Sequence, residues 1–148
     1  MIRITNTADV GHISSHNLLR TKELLDPLHQ DGLYVNIDEV ESGGYSARYH
    51  LHTLQDEFFL IMEGQGIARI GDASYEVKTG DFFFKPAGSV PHQFFNNGTE
   101  PLKILDCGIA RPGDEIIYPD EQVAYLKSIK TAFKLSDALR TWSSTPGD

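Results

Sequence analysis

The sequence predicts an all-β fold, one barrel or sandwich with short helices at its two ends. Three observations carry that reading. Between Tyr34 and Ala110 the chain falls into short segments rich in β-branched and aromatic residues. Gly, Pro, Asn and Asp separate these segments at the spacing of sandwiches and barrels. Finally, 148 residues make one domain, and a domain of that length hides roughly 68–70% of its unfolded surface without staples.

Taken in order, Ser15 can cap a helix from about His16 to Leu25, whose Leu18, Leu19 and Leu25 form one apolar stripe ahead of Pro27. His29 reads as loop. The strands follow as Leu33–Glu41, Tyr45–His52, Glu57–Glu63, Gly66–Ile70, Ser74–Val77, Asp81–Lys85, His92–Asn96 and Leu102–Ile109. Turn chemistry marks the breaks at Gly43-Gly44, Glu63-Gly64, Gly71-Asp72, Thr79-Gly80, Pro86-Ala87-Gly88 and Asn97-Gly98. Eight strands are enough to close a sheet. Beyond them Asp120 can cap a helix from Glu121 to about Lys130, with Val123, Leu126 and Lys130 at helical spacing, and Ser136 a last short turn through Trp142. The expected organisation is an N-terminal helical arm (1–32), a β-barrel core (33–110) and a C-terminal extension (111–148) packed on the barrel or on a partner subunit.

A formal charge of −8 repels phosphate backbones, which argues against a nucleic-acid surface. The longest uninterrupted apolar run, Phe58 to Met62, is far shorter than a membrane span, and Met1 to Ser14 lacks the apolar stretch of a signal peptide. The expectation is a cytoplasmic protein with neither nucleic-acid nor membrane partner. Cys107 is the single cysteine, so no intrachain disulfide is available. It reads as a small buried hydrophobe, because a nucleophile would need a lower-pKa setting than Asp106 provides.

The chemistry concentrates between Gly44 and Gly64. His50 and His52 stand two apart on an expected strand, so their imidazoles share a face. Glu57 on the next strand can complete three corners of a metal site, and His92 on a later strand offers a fourth. His12 and His16 have no acidic third ligand beside them and read as solvent-exposed.

At these residues the chain resembles the cupin family. The first cupin motif, G-x5-H-x-H-x4-E-x6-G, is matched at Gly44, His50, His52, Glu57 and Gly64. The second, G-x5-P-x-G-x2-H-x3-N, is matched at Gly80, Pro86, Gly88, His92 and Asn96, with one extra residue among Ser89, Val90 and Pro91. The resemblance covers about Leu33 to Ile109 and implies a jelly-roll β-barrel, usually dimeric. It also implies one divalent transition metal ion held by His50, His52, Glu57 and His92, with Asp56 the fallback should the register differ by one. Iron, manganese, nickel, copper and zinc all suit three imidazoles and a carboxylate.

Strand alternation places Arg48 beside the histidines, where it can clamp a substrate carboxylate or hydroxyl; pairing with Glu39 or Glu41 is the structural alternative. Phe59 and Phe94 are the aromatic residues expected in the pocket, while the rest of the Phe82-Phe83-Phe84, Phe94-Phe95 and Phe58-Phe59 set reads as core and interface. Phe58, Leu60 and Met62 then face outward on an apolar strand, which makes a homodimer the default expectation.

The function expected is a metal-dependent enzyme acting on a small sugar-like, oxo-acid or phenolic molecule, as a dioxygenase, isomerase, decarboxylase or lyase. Tyr49 and Glu63 are the weak candidates for acid or base. The alternatives are a non-catalytic small-molecule-binding or sensory module, and a structural barrel with a vestigial site. A fused DNA-binding helix pair would mark the sensory module, and the chain offers only one short helix candidate with Arg20 and Lys22.

Overall fold

The structure is a computed structural model describing residues 2–26 and 32–146. Pro27 and His29 lie outside the described residues. The elements are β1 (Ser14–His16), β2 (Leu19–Leu25), β3 (Leu33–Val40), β4 (Leu51–His52), β5 (Asp56–Glu63), β6 (Gln65–Ile70), β7 (Ala73–Lys78), β8 (Phe82–Lys85), β9 (His92–Phe95), β10 (Leu102–Ile109), β11 (Glu115–Tyr118), β12 (Val123–Leu126) and β13 (Thr131–Lys134). Two single 3-10 turns, Thr7–Asp9 and Leu135–Asp137, are the only helical pieces among the described residues.

One layer is an antiparallel sheet in the order β1-β2-β3-β10-β5-β8. The facing layer consists of β7-β6-β9 and β13-β12-β11-β4, joined by isolated bridges at Tyr45–Phe95 and His50–His92. The all-β jelly-roll expectation fits, but the sheets stay open, so eight strands do not close into one continuous barrel. Between the layers Val40, Phe59, Ile61, Ala68, Phe94, Leu102 and Ile104 form the core, with Leu19, Ile70, Val77 and Phe83 packed against it. At Gly64, φ is 84° and an added Cβ would lie 2.5 Å from the Pro101 carbonyl oxygen, so only glycine turns β5 into β6 there.

The helices expected at both ends are replaced by strands. His16 to Leu25 forms a hairpin in which Asn17 takes a φ of 52° and β2 pairs along β3. Asparagine tolerates that left-handed conformation, which no helix can pass through. Glu121 to Lys130 likewise opens with Gln122 at φ 55° and ends with Lys130 at φ 51°, and its middle is β12, paired with β11 and β13. The helical spacing of Val123 and Leu126 lost to sheet pairing that no local pattern records. The expected turn from Ser136 to Trp142 shrinks to Leu135–Asp137.

The expected strand Tyr45–His52 is regular only at Leu51–His52. Residues 46–49 are bent, and side chains supplement the backbone bond from the Ser46 N–H to the Phe94 carbonyl: the Phe94 N–H donates to Ser46 Oγ at 3.1 Å and Gln93 Nε2 to the Ala47 carbonyl at 2.7 Å. No helix among the described residues is long and apolar enough to cross a membrane.

Candidate metal centre

Three strands from the two layers bring the histidines and Glu57 together. His52 sits on β4, held in place by pairing of β4 with β11. The His50 N–H donates to the His92 carbonyl at 3.2 Å and the His92 N–H to the His50 carbonyl at 2.8 Å, so those two residues are locked opposite each other. The extra residue before His92 is taken up in the turn, where the Ser89 N–H and Oγ both donate to the Pro86 carbonyl. Glu57 projects inward from β5 between Gly108 and Lys85. Asp56, one position off, instead accepts the Ala87 N–H at 2.8 Å.

His50, His52 and Glu57 each offer a ligand atom within 4.8 Å of the others. His92 flanks them: its ring centroid is 4.8 Å from that of His50, and its Nδ1 lies 3.8 Å from Glu57 Oε2. The hydrogen bonding aims two of these rings. His52 Nδ1 donates to Asp114 Oδ2 at 2.7 Å and His50 Nδ1 to the Arg48 carbonyl at 2.7 Å. With Nδ1 carrying the proton, the Nε2 lone pair of each imidazole is free, the tautomer a ligating histidine needs. Asp114 is itself pinned, accepting from the Leu54 N–H at 2.9 Å and from Lys127.

The protonation states match. Burial pulls the His50 imidazole below its ordinary range, assisted by the charge of Lys85, and burial does the same at His52 against the pull of Glu57. His92 is driven down to about 2 by burial and then by its histidine neighbours. Burial alone would raise Asp114, yet the bonds from Lys127, Leu54 and His52 hold it below the usual carboxylate range, so it stays an anionic acceptor. Three neutral imidazoles and a carboxylate are the donor set of a divalent transition metal. Two deeply buried polar atoms here lack an aligned hydrogen-bonding partner: His92 Nδ1, and Glu57 Oε2, whose one close polar contact among the described residues is the off-axis approach of Lys85 Nζ.

The site opens on a cavity of about 390 Å³ lined by His50, His52, Glu57, His92, Phe59 and Phe94, and across from them by polar residues of β2, β3 and β10. Phe59 and Phe94, expected in the pocket, are both buried there, with the Phe59 ring 4.7 Å from His92. Arg48 is not brought to the site. The bend at 46–49 turns it outward, where its guanidinium meets Glu121 at 2.7 Å. Tyr49 donates to the Gly71 carbonyl beneath Arg69, and Glu63 pairs with Lys103, so neither lines the cavity. His12 is bonded to Glu39 at 3.1 Å, while His16 is exposed on β1. Burial and Asp106 push the Cys107 thiol up, away from nucleophilic reactivity.

Two functional neighbours escape the sequence reading. Lys85, 2% exposed, places Nζ 2.9 Å from Glu57 Oε2, an ion contact without hydrogen-bond alignment. Its signal was available: alternation along Phe82-Phe83-Phe84-Lys85 sends Phe83 and Lys85 inward. Asp114 follows a Pro-Gly turn and gives no comparable signal.

A model of the cupin domain matches residues 36–108. An uncharacterised protein of Methanocaldococcus jannaschii is 34% identical over 87 residues, 58% of this chain and 69% of that one. Among solved structures, a cupin-superfamily sugar phosphate isomerase from Silicibacter pomeroyi superposes with a TM-score of 0.79 at 22% identity, over 94% of this chain and 97% of that one. The polyketide cyclase RemF of Streptomyces resistomycificus gives a TM-score of 0.64 at 22% identity, over 77% and 84%.

Proposed function

The chain belongs to the cupin family, and from that premise we propose that it is a metal-dependent enzyme acting on a small, oxygen-rich molecule. The observation that carries the proposal is the convergence of His50, His52 and Glu57, flanked by His92, at the wall of one cavity, with two imidazole Nε2 atoms freed by bonds to the other ring nitrogen. A divalent ion held there by those four side chains would supply Lewis acidity to adjacent oxygens of a sugar-like, oxo-acid or phenolic substrate. The remaining work falls to the chain. Asp114 fixes the His52 tautomer, Lys85 holds one oxygen of Glu57, and Phe59 and Phe94 give the cavity a buried apolar wall.

The reading extends to a homodimer, supported by Phe82 and Phe84 standing exposed on the edge strand β8, with Phe82 stacked on Phe58 at 5.9 Å. The test of the enzyme reading is turnover of sugar, oxo-acid and catechol panels by protein loaded in turn with iron, manganese, nickel, copper and zinc. Turnover that disappears on chelation and in His92→Ala supports it. Binding without turnover across all metals favours the sensory module.

A further inference from the structure

The inward face of β2, β3 and β10 opposite the metal centre breaks the rule that a sheet's inner face is apolar. Toward one end it is: Val40, Leu102 and Ile104 are core. Toward the other it carries Thr21, Asn36, Asp38 and Asp106, with Thr21 opposite Asp38 and Asn36 opposite Asp106 in register. All four line the cavity that holds His50, His52, Glu57 and His92.

Their hydrogen-bonding capacity is only partly used. Thr21 Oγ1 donates to Asp38 Oδ1 at 2.6 Å and Tyr34 Oη to Asp106 Oδ1 at 3.0 Å, the latter backed by Gln55 Nε2 at 3.2 Å. Each carboxyl has that single hydrogen-bonding partner among the described residues, and Asn36 Oδ1 is buried with none. A buried acceptor left without a partner is unusual, and Asn36 Oδ1, beside the unengaged second oxygens of Asp38 and Asp106 on the cavity wall, points to a ligand that brings hydroxyl groups.

Charge narrows the class. The one cation lining the cavity among the described residues is Lys127, and it is engaged by Asp114 and Gln55. A phosphate seated against this wall would meet carboxyls and no free cation. Burial pushes Asp38 up to about 6, and burial together with Asp38 holds Asp106 well above its ordinary range. A carboxyl that shifts readily between neutral and charged forms both donates to and accepts from an alcohol.

We propose that Thr21, Asn36, Asp38 and Asp106 form the recognition wall for the hydroxyl groups of an uncharged, carbohydrate-like polyol, and that this wall rejects the phosphate esters of the same sugars. The proposal rests on the enzyme reading above for the reaction, but not for the binding. It also separates this chain from what its sugar-phosphate-isomerase neighbour is named for.

The test is titration calorimetry on the intact, metal-loaded protein at neutral pH with D-glucose, D-mannose and D-xylose, the 6-phosphates of glucose and mannose, and D-glucosamine. The expected result is binding of an uncharged sugar, with phosphate esters at least about 10-fold weaker, and a loss of about 10-fold in both Asn36→Leu and Thr21→Val at unchanged metal content. Two variants on different strands cover a folding failure in either. Tighter binding of the phosphates, preference for glucosamine, no binding of any uncharged sugar, or unaltered binding in the folded variants overturns the proposal. Metal content measured on the same samples keeps the readings apart: a metal-free protein that still binds sugar defeats the metal centre and leaves the wall standing.

Discussion

Lys85 and Glu57 stand directly opposite on β8 and β5, and Lys85 Nζ approaches Glu57 Oε2 to 2.9 Å in a place where neither side chain meets solvent. One carboxylate oxygen therefore faces a lysine, and the other, Oε1, faces His52 Nε2 at 3.5 Å. The lysine compensates a buried carboxylate, and under the proposed metal reading it would oppose the charge of a cation held at Glu57. Both roles can be measured.

In Glu57→Gln the lysine is left as an unpaired buried charge, and the loss expected is about 3–5 kcal/mol of stability. The double variant Glu57→Gln, Lys85→Met removes both charges and recovers most of that loss. Denaturant titration of the wild type, both single variants and the double variant reads this directly; a double-variant loss equal to the sum of the two single losses would show that the pair is uncoupled.

Lys85→Met also takes a positive charge from beside a ligand oxygen. Divalent-metal affinity measured by chelator competition should rise by about 10-fold, or about 1.4 kcal/mol. A fall would mean that the lysine serves only to orient Glu57.

Asp114 holds His52 by Nδ1, so Asp114→Asn should weaken metal binding by about 10- to 100-fold while leaving the chain folded. Chelator competition checks this as well, and an unchanged affinity would reduce Asp114 to a partner of Lys127.

The carboxyl of Asp38 is raised by burial to about 6 from an unfolded value of 3.8. An acid raised in the fold stabilises most below its unfolded pKa, and the contribution disappears as pH rises through the folded value. The stability difference between wild type and Asp38→Asn should therefore move against the wild type by about 2–3 kcal/mol between pH 4 and pH 7. Thr21 faces the carboxyl in both proteins, whereas Asp106 is itself raised in part by Asp38, so the same comparison is made in an Asp106→Asn background to isolate Asp38. A difference that stays flat with pH would place Asp38 in contact with water.

Phe82→Ser with Phe84→Ser should convert a particle of about twice the 16.5 kDa chain mass to one of the chain mass in light scattering. A wild-type monomer rules out the dimer.

The strands from Leu33 to Ile109 were legible because each carries its own alternation and turn residues, and their observed bounds lie within a residue or two of the expected ones except at Tyr45–His52. The two ends were misread for a physical reason. Leu18, Leu19 and Leu25, like Val123 and Leu126, fit a helical stripe as well as a strand, and long-range pairing with β3 and β11 decided between them. Arg48 was misplaced because alternation was carried through a bend held by Ser46 and Gln93. The four candidate ligand residues were legible from two spaced motifs, whereas their neighbours Asp114 and Lys127 come from 62 and 75 residues beyond His52 and could be found only in three dimensions.

The most direct test of the account is elemental analysis by mass spectrometry of protein purified without chelator or nickel resin, alongside His50→Ala and His92→Ala. The expected result is close to one divalent transition metal per chain in the wild type and a marked loss in each variant. A folded wild type that carries no metal and takes up none when it is supplied, or variants with undiminished metal, would contradict it.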